Sequence, residues 1–166
     1  VIAIIGILSS IVLTNLNGSR QKARDVKRVA DVKQLQLALA LYFDANDGKY
    51  PAVLSTLAPT FIPAIPTPPG GVSGASASYV YVPIDAGGGS CNNYHLGASL
   101  EVGGNSVLTS DSDAAVASTG VPATGCLGGG TVASADFNGL NQLHCTSGTA
   151  GTAQPGGTEV CFDVTP

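Results

Sequence analysis

The chain contains no methionine and no tryptophan, and aromatic residues make up only 5% of its 166 positions. A hydrophobic core must therefore come from Val, Leu, Ile and Ala. Without a methionine, residue 1 is not expected to be a translation start, and a few apolar residues are expected ahead of it. Charge is scarce as well, at 11%, and no Lys or Arg follows Lys49. Beyond that point the charged side chains are Asp85, Glu101, Asp111, Asp113, Asp136, Glu159 and Asp163. That excludes a nucleic acid held by this part of the chain through its phosphates, which requires Lys and Arg. Catalytic signatures are missing too: C-x-x-C, G-x-S-x-G and the phosphate-cradling G-x-x-x-x-G-K-[ST] do not occur. His95 has no partner of the right kind nearby in sequence, and adjacency does not make His144 and Cys145 a nucleophile pair. No enzymatic activity is expected. A bilayer-crossing run of about 20 apolar residues is also absent; the apolar start, VIAIIGILSSIVLTNL, ends at Leu16.

What remains is a segregated chain. Val1 to Leu41 is free of proline and reads as one long helix. Its first third carries Val1, Ile2, Ile4, Ile5, Ile7, Leu8, Ile11 and Val12, and suits a membrane or the core of a helical bundle. A basic collar follows, with Arg20, Lys22, Arg24, Lys27, Arg28 and Lys33, interrupted by Asp25 and Asp31. No aromatic stacking platform accompanies it, so the collar reads as a solvated or membrane-facing helix surface. Taken alone, it would also place the apolar segment's C-terminal side in the cytoplasm.

At about 100° per residue, Val32, Leu35, Leu39 and Tyr42 share one stripe of this helix, while Ala23, Val26, Ala30, Leu37 and Leu41 share another roughly opposite. A helix docked on a single domain needs only one apolar stripe. The second is therefore expected to meet a further partner, most simply the same helix of another copy. Gly18 marks a place for the rod to bend or melt. The helix is expected to stop at Asn46-Asp47-Gly48, before Pro51.

Residues 1–49 thus form a rod and 50–166 a head. In the head, a helical turn is expected around Ser55 to Ala58, and IPAIPTPPGG reads as a stiff connector crossing the rod. Ser78 to Val82 and Tyr94 to Leu100 alternate as two strands of a hairpin around Gly87-Gly88-Gly89, with a third antiparallel strand at Glu159 to Val164. The small residues of 103–157 are expected to form long loops. The fold class is α+β. Four cysteines in a loop-rich head point to two disulfides with three connectivities. Pairing Cys91 with Cys126 and Cys145 with Cys161 would pin the loops to strand ends. Asp111 and Asp113, with Asp136, Asn138 and Asn141, offer the closely spaced oxygens that calcium takes, although such residues also simply form turns.

The IAIIGIL core, the A-R-D-x-x-R collar, the Leu/Tyr run and the D-G-x-Y-P exit resemble the N-terminal helix of type IV pilins and type II secretion pseudopilins, with weaker echoes in YHLGASLE and CFDVTP. The family's methylated Phe and short lead with a Glu are not in this sequence. The resemblance implies a long helix packed on a small antiparallel sheet, and a structural subunit that polymerises through that helix. Membership in this family implies copies of the same chain, the inner membrane before assembly, a pilus assembly machinery and a prepilin peptidase as partners. It further implies calcium in the head, as in major pseudopilins. The expected product is an extracellular type IV pilus-like filament. A periplasmic type II secretion pseudopilus is the alternative, and a membrane-anchored surface binding protein that never polymerises is the third reading.

Overall fold

A computed structural model describes residues 2–70, 78–85, 91–112, 121–122, 145 and 159–166, with backbone alone at 3, 5–15, 85, 121 and 122. A single helix, α1, spans Ile2–Ala45, about 66 Å at 1.5 Å per residue. It passes through Gly6 and Gly18 without a break. It ends where expected. Asp47 and Gly48 both take positive φ, at 53° and 71°, and the Gly48 N–H donates to the Phe43 carbonyl at 3.1 Å. That six-residue closure satisfies a carbonyl left over at the helix end.

Beyond α1, a short 3-10 turn covers Leu54–Leu57, and the proline segment follows it. The hairpin pairs β1 (Val80–Asp85) with β2 (Asn93–Ser99), antiparallel, with Val82 opposite His95. A second 3-10 turn, Ser106–Thr109, is capped by the Asn105 side chain. The two-residue strand β3 (Val121–Pro122) adds to β1, and β4 (Cys161–Val164) pairs antiparallel with β2. The sheet order is β3-β1-β2-β4. Strand β3 was not anticipated, because Val-Pro in a run of small residues carries no alternating pattern. The Gly87–Gly89 turn and most of 103–157 lie outside the described residues.

Side-chain alternation gives the sheet two buried faces. Tyr94, Leu96, Ala98, Phe162 and Val164 join Val32, Leu35, Leu39 and Tyr42 of the rod in one core. On the other face, Val82 packs with Cys145 and Cys161. Aromatic side chains, few as they are, gather at the top of the rod: Tyr50 meets Phe43 and Tyr94 with ring centroids 4.6 and 4.7 Å apart. The Tyr81 hydroxyl donates to the Pro51 carbonyl at 2.7 Å.

The two stripes of α1 therefore have different fates. Leu35 and Leu39 are fully buried, whereas Leu37 is 64% exposed. Leu39→Ala should cost about 2–5 kcal/mol of stability through the cavity it leaves. Leu37→Ala should change stability by no more than about 0.5 kcal/mol. Urea midpoints of the two variants check both expectations.

Candidate assembly surface and the rod-head clamp

The apolar stripe that packs on the sheet runs at alternating steps of three and four residues through Val32, Leu35, Leu39 and Tyr42. Continued toward the N-terminus, the same spacing reaches Arg28 and then Asp25. Both are buried, at 1% and 0% exposure. They were expected on a solvated surface; the structure corrects that. Arg28 Nη1 lies 2.6 Å from Asp25 Oδ1 and 2.8 Å from Glu101 Oε1, and its Nη2 donates to the Pro69 carbonyl at 2.6 Å. Arg24 donates through Nε and Nη2 to the two oxygens of Glu101, a forked geometry that fits a carboxylate. Asp25 also accepts the backbone N–H groups of Glu101 and Val102 at 2.9 and 3.0 Å. One turn higher, Asp31 Oδ2 accepts from Lys27 and from the buried Tyr79 hydroxyl. These contacts clamp the end of β2 and the proline segment to the rod.

The hydrogen bonds from Arg24, reinforced by Arg28, hold the Glu101 carboxyl below its usual range, against the opposing effect of burial. Burial, then the bond to Asp31, pushes the Tyr79 hydroxyl upward, so it stays protonated and donates.

On the opposite side of α1, Val26, Leu37 and Leu41 are 66%, 64% and 48% exposed, and Ala23 and Ala30 beside them are exposed too. Ile2 and Ile4 are also exposed. The side chains of Ile5, Ile7, Leu8, Ile11 and Val12, and Val1 entirely, lie outside the described residues. Among the described residues, no helix is long and apolar enough to cross a membrane.

In the head, Cys145 and Cys161 form a disulfide with Cα atoms 5.0 Å apart. Cys91 is disulfide-bonded as well, while its expected partner Cys126 lies outside the described residues. His95, which has no partner near it in sequence, sits buried 2.7 Å from Asp163 on the neighbouring strand. Asp111 does not stand alone either: one oxygen each of Asp111, Glu159 and Asp163 fall within 4.8 Å of one another. Asp113, Asp136, Asn138 and Asn141 lie outside the described residues. Glu159 and Asp163 were missed because they are distant from Asp111 in sequence and join it only through β4. Asp111 Oδ1 and Glu159 Oε1 are shut away from solvent. The donor set fits a hard divalent cation such as calcium.

The chain lays a long N-terminal helix on a small antiparallel sheet, the α+β arrangement that the resemblance to pilins implies. Over 51 residues it is 43% identical to the type II secretion system core protein G of Aeromonas hydrophila, a match covering 31% of this chain and 35% of that protein. The matched stretch thus spans about a third of the relative's length. No protein-family description matches the chain, and no solved structure does.

Removing Asp25 takes away one of the two carboxylates that face the buried Arg28 and the acceptor of two backbone N–H groups, so Asp25→Ala should cost about 3–5 kcal/mol. A carboxylate with a depressed folded-state pKa stabilises the fold above its ordinary range, near pH 4, and loses that contribution as pH falls through the lower, folded value. The urea midpoint should therefore drop on acidification below about pH 5, and Glu101→Gln should flatten the drop.

Proposed function

We propose that the chain is a structural subunit of a pilin-like helical assembly, built as type II secretion pseudopilins are, and that it catalyses no reaction. The observation that carries the reading is the exposed stripe of Val26, Leu37 and Leu41 on the side of α1 away from the head. A rod that needed only to support its own head would have no use for that second face. Burying it against the rods of neighbouring copies is favoured by about 25 cal/mol per Å² of apolar surface. The apolar start of α1 serves first as a membrane anchor and then as part of the filament core. A prepilin peptidase and an assembly machinery in the inner membrane are the partners this role requires.

Similarity to a type II secretion core protein favours the periplasmic pseudopilus over the extracellular pilus. The disulfide-braced head is compatible with either compartment, since both are oxidising. Electron microscopy of sheared cells, with mass spectrometry of the released subunits, separates the two. Long surface filaments dominated by this chain would restore the pilus reading, and retention in the envelope would support the pseudopilus. Leu37→Glu with Leu41→Glu should abolish assembly while leaving the head's melting temperature within a few degrees of the wild type, because neither side chain touches the core. Assembly that survives the double substitution overturns the proposal.

On the same reading, Asp111, Glu159 and Asp163 hold calcium through the oxygens they bring within 4.8 Å of one another, which ties the turn before residue 112 to β4. Adding calcium to chelator-treated protein should raise its melting temperature by several degrees, and Asp111→Asn should remove most of that gain. Equal melting curves with calcium and with chelator would count against the site.

A further inference from the structure

Between the apolar start of α1 and the clamp lies an exposed section of helix. Ser19, Arg20, Gln21, Lys22 and Ala23 are all exposed, and an added Cβ at Gly18 would meet no atom within 4 Å. Among the described residues, the ion pairs to the head begin at Arg24. Above that point the carboxylates are already engaged: Asp25 and Glu101 by Arg28, Glu101 also by Arg24, and Asp31 by Lys27. Lys33 lies over the Phe162 ring, 5.8 Å from its centroid. Among the described residues, Arg20 and Lys22 are therefore the collar's uncompensated cations. They differ by about 200° around the helix axis and so stand on nearly opposite sides of it.

We propose that Arg20 and Lys22 form a headgroup collar that binds anionic phospholipid while the subunit waits in the membrane. The inference rests on the anchoring role proposed above for the apolar start. Three observations carry it further. The first is position. Arg20 stands about 6 Å along the axis from Leu16, within a headgroup layer about 5–8 Å thick, and Lys22, about 9 Å along, stands at its outer edge with a side chain that leans back toward the helix N-terminus. The second is shape. A protein partner would dock on one side of the helix, whereas exposed cations on opposite sides suit a layer that surrounds it. The third is side-chain type. Arg and Lys can lay their stems along apolar surface while the charge reaches the interface. The collar then works as an electrostatic anchor that adds to the apolar segment and is given up when the subunit leaves the bilayer.

The test is flotation of the full chain, diluted from detergent, with vesicles of phosphatidylcholine alone or of phosphatidylcholine mixed with phosphatidylglycerol. Two juxtamembrane cations should favour the anionic vesicles by on the order of 30-fold, and the preference should shrink in high salt. Arg20→Gln with Lys22→Gln should bring partitioning on the two vesicle types to near parity without changing the melting temperature. Lys33→Gln, higher on the rod, should keep the preference. Equal flotation with both vesicles, or a preference that survives the double substitution, overturns the collar while the anchor stands. A chain that floats with neither vesicle overturns the anchor and the collar together.

Discussion

Burying Arg28 is the demand around which the lower half of this fold is arranged. A guanidinium withdrawn from water without partners costs several kcal/mol, so each of its neighbours has to be in place. Asp25 supplies a carboxylate from one turn below on the same helix, Glu101 supplies another from the end of β2, and Pro69 supplies a carbonyl from the connector. Three separate parts of the chain meet at one side chain. Because Asp25 also receives two backbone N–H groups of the segment after β2, the clamp fixes direction as well as proximity. An apolar contact would let the sheet slide along the rod, but directed hydrogen bonds between charged groups set one register.

That register divides α1 by function. Above Arg24 one face belongs to the head, with Val32, Leu35, Leu39 and Tyr42 sealed in the shared core. The other face remains bare. Below Arg24, Ser19 to Ala23 are exposed around the rod. The sheet compensates for the chain's few aromatic residues by being buried on both sides, against the rod on one and against the Cys145–Cys161 bridge on the other. Disulfides suit such a head, since they stabilise a loop-rich domain chiefly by restricting its unfolded state.

The rod, its exit and the hairpin were legible because each rests on local pattern: steps of three and four residues, a left-handed turn ahead of Pro51, and alternation around a glycine run. The paired stripes were legible for the same reason. The clamp was not, although its residues continue the buried stripe. Hydrophobic periodicity stops being visible when the next two positions are Asp25 and Arg28, and only the arrival of Glu101, far along the chain, makes their burial tolerable. The cluster of Asp111, Glu159 and Asp163 was hidden in the same way. A turn and a strand bring its members together, and no spacing within either segment announces the other. His95 and Asp163 repeat the lesson across two neighbouring strands.

On the proposed reading, the two halves of the assembly surface work by different physics. Val26, Leu37 and Leu41 stand beyond the collar and face water before assembly, so packing them against another rod gains the full hydrophobic benefit. The apolar start passes from lipid to neighbouring helices, and lipid tails are as apolar as leucine. Association there depends instead on close packing, for which a small residue such as Gly6 is suited. Selectivity between assembled and unassembled states should therefore lie mainly in the upper stripe, even though the lower segment is the more hydrophobic. A rod clamped to its head by charges can expose that stripe without unfolding, because the interactions that hold the head lie on the opposite face and use none of the same side chains.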